Sequence, residues 1–108
     1  QIPTGEIAMA MPLIQANYDR NGVKGLLKEG GSSRRTAVEK AIGGMGGSVE
    51  SIYYAFGDTD IDVIVDMPDN VSMAAMALIA GDSGAVTVKT TVLMSPEEVD
   101  EATKKTPD

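Results

Sequence analysis

Residues Tyr53 to Asn70 constrain the fold of this chain more than any other stretch. Two β-rich runs, Tyr53–Phe56 and Ile61–Met67, flank the tetrapeptide Gly57-Asp58-Thr59-Asp60, and Pro68-Asp69 closes the second run. Glycine enters positive φ without steric penalty, and a short carboxylate bonds local backbone N–H groups, so such a tetrapeptide turns the chain. The segment predicts a β-hairpin, with Gly57 and Asp60 as its turn residues, leading directly into a helix start at Asp69 or Asn70. It carries no imidazole and no thiol, so it constrains topology far more than chemistry.

The flanking sequence supplies the other elements. Ile14, Ala16 and Tyr18 alternate with Gln15 and Asn17, the period of a strand over Leu13–Tyr18. After the turn residues Asp19-Arg20-Asn21-Gly22, Val23, Leu26 and Leu27 share one helical face up to Gly30-Gly31. A second helical piece follows Ser32-Ser33, with Ala37, Val38, Ala41, Ile42 and Met45 at helical spacing, and Gly46-Gly47 stops it. Strands are expected over Ser48–Phe56, Ile61–Met67 and Ala85–Met94. A helix is expected over Val71–Ala80, with Gly81 at its C-terminal turn. Ser95-Pro96-Glu97-Glu98 is a capping box with proline at the first helical position, which opens a short acidic helix.

The order β-α-β-β-α-β, with a hairpin at its centre and helical crossovers, predicts an α+β ferredoxin-like sandwich. Its antiparallel sheet has order 4-1-3-2, with the helices on one face and a short C-terminal helix. Residues 1–11 read as an N-terminal arm, 12–103 as the domain and 104–108 as a tail. At 108 residues the chain has room for one domain, burying roughly 65% of its unfolded surface.

Composition narrows the function classes. The chain has no Cys and no His, which excludes Ser-His-Asp and Cys-His catalysis, zinc–cysteine sites and an imidazole pH switch in it. A formal charge of −7 and a pI near 4.4 oppose the polyanionic surfaces of nucleic acids and membranes. No apolar run reaches the roughly 18 residues of a membrane span. Absence of cysteine leads us to expect a cytoplasmic protein, although a chain that begins at Gln1 would keep no trace of a removed signal peptide.

Alternation divides the sheet residues between two faces. Ile14, Ala16, Ile52, Tyr54, Val63 and Val86 belong to the helix-covered side. Gln15, Asn17, Tyr53, Asp62, Ile64, Asp66, Thr87, Lys89 and Thr91 belong to the other. Convergent amide, phenol, carboxylate and ammonium groups are what a small polar ligand or a polarised carbonyl needs. Asn17, Tyr53, Asp62 and Lys89 are therefore candidates for binding or for cofactor-free catalysis. The plainer reading is a solvated or wet inter-subunit sheet face. Asp60 is a further binding candidate beside its turn role, as are Arg34 and Arg35, the one basic pair that could hold an anion or instead pair with Glu29, Glu39 or a partner's acidic tail. Met73 and Met76 read as core packing.

Two tempting motifs fail on spacing. Asp58-Thr59-Asp60-Ile61-Asp62 opens like a calcium loop, but Val63 replaces the glycine needed at the sixth position and Asp69 the final glutamate. Gly43-Gly44-Met45-Gly46-Gly47 follows a helix instead of starting one and lacks the Lys-Ser/Thr of a phosphate loop. We therefore expect no metal site and no cofactor.

Several separated blocks resemble the GYD-domain family. They are Asn21–Gly31, Arg34-Arg35 with Ala37-Val38-Glu39, Gly46-Gly47, Tyr54–Asp60, and the Ala85–Leu93 strand with Lys89-Thr90-Thr91. The resemblance covers roughly Pro12 to Ala102. Gly57 and Asp60 match the family's hairpin turn, while Thr59 stands where the family has its tyrosine, so a role resting on that tyrosine does not carry over. The resemblance implies a ferredoxin-like fold of the kind that pairs into dimeric α+β barrels and implies no particular activity. It agrees with a physical expectation: an uncovered sheet face and two open edges favour a homodimer or larger oligomer. We expect a binding or assembly module of this kind, or alternatively a cofactor-free enzyme with its pocket on the helix-free face.

Overall fold

A computed structural model of the chain describes residues 11–107. Its elements run β1 (Met11–Tyr18), α1 (Arg20–Glu29), α2 (Gly31–Gly44), β2 (Ser48–Tyr54), β3 (Ile61–Asp66), α3 (Asn70–Asp82), β4 (Val86–Leu93) and α4 (Pro96–Thr103). The four strands form one antiparallel sheet in the order β2-β3-β1-β4, which is the expected order read from the other edge. The expected arm lies outside the described residues except for Met11, which begins β1 and pairs with Leu93.

Helix starts follow their caps. Asp19 Oδ1 accepts from Gly22 N at 2.9 Å and Asp69 Oδ1 from Ser72 N at 2.8 Å, each satisfying an N–H group that the first turn leaves unpaired. At α4, Ser95 Oγ accepts from Glu98 N at 3.1 Å while Glu98 Oε1 accepts from Ser95 N at 2.7 Å, completing the capping box. The first helical piece runs from Arg20 to Glu29. It fills α1, and Gly30 at φ 86° ends it and redirects the chain into α2.

Several boundaries differ from the sequence reading by one or two residues, and two of these shifts have a visible backbone cause. Helix α3 continues through Gly81 to Asp82, and the left-handed stop falls at Gly84, φ 73°. The second strand ends at Tyr54, because Phe56 takes φ 56° and breaks the extended path. The positive φ of the hairpin loop thus sits on Phe56, one residue before the glycine expected to supply it.

The core lies between sheet and helices. Ile14, Ala16, Ile61, Val63 and Val65 from the central strands meet Ile42 of α2 and Met73 of α3, with Met67 sealing the end of β3. Val65 and Met67 are completely buried. Helix α2 packs on β2 and α3 on β4, both contributing to the one core, and among the described residues no helix packs on the opposite face.

Candidate functional site

Strand register turns the alternating polar residues into a row. Tyr53 of β2 pairs with Asp62 of β3, Asp62 with Gln15 of β1, and Gln15 with Lys89 of β4. One polar side chain from each strand therefore lines up across the whole helix-free face. Asn17 and Thr87 pair one step beyond this row. On its other side Leu13 pairs with Ile64 and Thr91, Ser51 with Ile64, Met11 with Leu93, and Ser48 with Asp66. The face thus carries a polar row and, beside it, a mixed region in which Leu13, Ile64, Met11 and Leu93 are the apolar members.

The polar row holds an open hollow of about 410 Å³ lined by Gln15, Asn17, Asp58, Thr59, Thr87 and Lys89. Asp62 borders it through two bonds: Thr59 Oγ1 donates to its Oδ1 at 2.8 Å, and Gln15 Nε2 donates to the same oxygen at 3.4 Å. Thr59, the residue standing in for the family tyrosine, thereby anchors the carboxylate at the centre of the row. Lys89 forms no ion pair among the described residues, so its ammonium is available to a ligand.

The sequence candidates separate into distinct groups. Asn17 and Lys89 share the hollow, with Asp62 beside them. Tyr53 stands at the β2 end of the row, where it lines a second hollow of about 370 Å³ with Ser32, Arg35 and Tyr54. Asp60 is engaged elsewhere. Its Oδ2 accepts from Tyr18 N at 2.9 Å, tying the hairpin loop to the end of β1. This bond bridges distant segments and is not the short-range Asx-type bond that turn chemistry suggests. Arg34 pairs with Glu29 Oε1 at 3.3 Å and lies 5.9 Å from the Tyr18 ring centroid.

Gln15, Asp58, Thr59 and Thr87 complete the hollow, although chemistry-led sequence reading passes over them. The available signal was positional: Gln15 shares the phase of Asn17, and Thr87 that of Lys89. Which of them converge depended on register. Asp60 and Asp62 turn toward different partners, and among the described residues no three carboxylate, imidazole or thiol groups gather into a metal-binding set.

Among the described residues three groups titrate away from their ordinary values, and one of them, the cap Asp69, is lowered by the Ser72 backbone N–H. Tyr54 is pushed up by burial and by the neighbouring Tyr18 phenol, partly offset by Arg34 and Arg35, and its hydroxyl donates to Gly31 O at 3.1 Å. Glu50, in the irregular segment between Val49 and Ser51, is raised by hydrogen bonding to and repulsion from Asp66.

Comparison with known proteins matches residues 13–103 to the family described as the GYD domain. No curated protein and no solved structure matches the chain. Among the described residues no helix is long and apolar enough to cross a membrane.

Proposed function

We propose, from the premise that this chain belongs to the GYD domain family, that it is a homodimeric small-molecule-binding module. In this reading two copies pack helix-free face to helix-free face and hold a polar ligand between them. The observation that carries the reading is that Leu13, Ile64, Met11 and Leu93 stand on that face beside the row Tyr53–Asp62–Gln15–Lys89. Those four apolar side chains are what a second copy covers favourably. The polar row and its hollow offer an ammonium, amides, hydroxyls and carboxylates to a ligand.

Four strands spaced about 4.8 Å apart and about seven residues long present roughly 450 Å² of face, so two copies bury about 900 Å² through the sheets, just under the roughly 1,000 Å² of a specific interface, and contacts from outside the sheet supply the remainder in this reading. A two-fold axis repeats every contact, which helps an interface of this modest size. The acidic α4, with Glu97, Glu98, Asp100 and Glu101, adds charge able to reach basic groups of a second copy. Cofactor-free catalysis by Lys89 and Asp62 is the second reading, and it needs the same hollow closed to water by the second copy.

Sedimentation equilibrium at tens of micromolar tests the reading. The native chain is expected to be a dimer and Ile64→Lys a monomer, with far-ultraviolet circular dichroism confirming that the variant folds. A monomeric native chain would overturn the dimer. Native mass spectrometry of protein purified from its own source should show one small polar molecule per subunit or per dimer, lost in Lys89→Ala. Retention of that molecule in Lys89→Ala would move the ligand out of this hollow.

A further inference from the structure

The hollow on the helix-free face holds groups of opposite charge that do not neutralise each other. Lys89 and Asp58 both line it. Neither forms an ion pair among the described residues, although an ammonium and a carboxylate in contact would gain a charge-assisted bond. Asp62 borders the same space, and both bonds that it accepts, from Thr59 and Gln15, fall on Oδ1. Its Oδ2 accepts none among the described residues. Asp60, the remaining charged group of the hairpin loop, is committed to Tyr18 N. The loop and β3 thus supply an anionic side to the hollow, and β4 a cationic one.

Two other spaces differ from it. The hollow beside Tyr53 has Arg35 in its lining and no carboxylate. The cleft of about 140 Å³ left between α2 and α3 is lined almost entirely by apolar side chains, Val38, Ile42, Met76 and Ala80 among them. Of these three spaces, only the hollow at Lys89 presents both signs of charge to one guest. Its volume of about 410 Å³ suits a small molecule.

Register sets the separation of the two sides. Asp62 pairs with Gln15 and Gln15 with Lys89, so one strand, β1, lies between carboxylate and ammonium. Two strand spacings amount to roughly 10 Å. An α-amino acid measures about 3 Å from its nitrogen to a carboxylate oxygen, and with a charge-assisted bond of about 2.8 Å at each end it bridges roughly 9 Å. A ligand bearing only an ammonium would leave Lys89 opposed to it. A ligand bearing only a carboxylate would meet Asp58 and Asp62. Along β1, between the two sides, Gln15 and Asn17 contribute amides, and Thr59 and Thr87 contribute hydroxyls.

We propose that the ligand of this hollow is a small zwitterion of the α-amino acid type. Its ammonium lies between Asp58 and Asp62 Oδ2, and its carboxylate meets the Lys89 ammonium across β1. The inference rests on the hollow being the ligand site proposed above and adds the class of molecule. Every charged group it uses belongs to one chain, so it does not depend on the dimer.

L-Alanine serves as the probe, beside L-lactate, which has a hydroxyl for the ammonium, and L-alaninol, which has a hydroxymethyl for the carboxylate. Binding is followed by backbone amide chemical shifts of Asp58, Thr59, Thr87 and Lys89 and by calorimetry at low ionic strength. Alanine should bind roughly tenfold tighter, or more, than either counterpart. Lys89→Met should bring alanine to the affinity of alaninol. Asp58→Asn combined with Asp62→Asn should bring alanine to the affinity of lactate. Should that double variant misfold, Asp58→Asn alone should weaken alanine and leave lactate no weaker. Equal binding of the three probes, or no amide shift with any of them, would refute the zwitterion. The two readings fail separately. A co-purified molecule that is lost in Lys89→Ala but lacks an ammonium or a carboxylate would remove the zwitterion and keep the hollow as the ligand site. A monomeric native chain that binds alanine with this selectivity would remove the dimer and keep the zwitterion.

Discussion

Two glycines three residues apart in one helix should respond to the same substitution with opposite signs. A Cβ placed on Gly22 would lie 2.5 Å from Ala85 O and 2.7 Å from Tyr18 Cδ1. Neither neighbour yields easily. The carbonyl is backbone that accepts from Asp19 N at 3.0 Å, and the Tyr18 ring lies under Arg34. Overpacking of this kind costs about 1–3 kcal/mol. Shifting Ala85 would forfeit about 1 kcal/mol of hydrogen bonding. Alanine returns about 1 kcal/mol of helix propensity. Gly22→Ala should therefore destabilise the fold by about 1–3 kcal/mol, a fall in melting temperature of about 5–20 °C for a domain of this size. At Gly25 the nearest atom to the added Cβ is Arg34 Nη2 at 3.9 Å, an ordinary contact. Only the propensity gain acts there, so Gly25→Ala should stabilise by about 0.5–1 kcal/mol. Urea denaturation of both variants beside the native chain measures the difference. A neutral Gly22→Ala, or a Gly25→Ala less stable than the native chain, would refute the packing of α1 against β1 and the start of β4.

Asp60→Ala should cost about 1–3 kcal/mol in urea denaturation because Tyr18 N loses its acceptor, and Asp60→Asn should recover most of it by keeping an oxygen there. Tyr54 keeps its proton above the ordinary tyrosine range, so the folded state holds that proton more tightly than the unfolded chain. Its contribution is intact below the unfolded value near 10 and is lost as pH rises through the folded value. Stability should decline in that alkaline window, and Tyr54→Phe should flatten the decline in a pH series of melting curves. Glu50, raised by Asp66, makes stability fall as pH rises through its titration, so Glu50→Gln should be more stable than the native chain at neutral pH and not at pH 3. Asp69 is held below its ordinary value by the Ser72 backbone N–H, so its capping contribution should fade as pH falls through that lowered value, and the loss should be absent in Asp69→Asn.

What the amino-acid order alone determined was local or periodic. Strand alternation assigned Gln15, Asn17, Tyr53, Asp62 and Lys89 to one sheet face, because successive side chains in a strand must point to opposite sides. Asp69 and the Ser95–Glu98 box marked helix starts, because a cap acts across three residues. The sheet order followed from element order and the central hairpin. Only the tertiary structure decided the rest. Register between segments tens of residues apart set Tyr53, Asp62, Gln15 and Lys89 in one row, and a slip of one residue would have dispersed them. The same long-range pairing gave Asp60 to Tyr18 N. The cleft between α2 and α3 has no signature in either helix alone. It exists because the helices settle over outer strands, leaving a gap that Ala16 and Ala80 are too small to close. Short-range rules act within a turn or a strand pair, whereas the space between packed elements depends on where every element comes to rest.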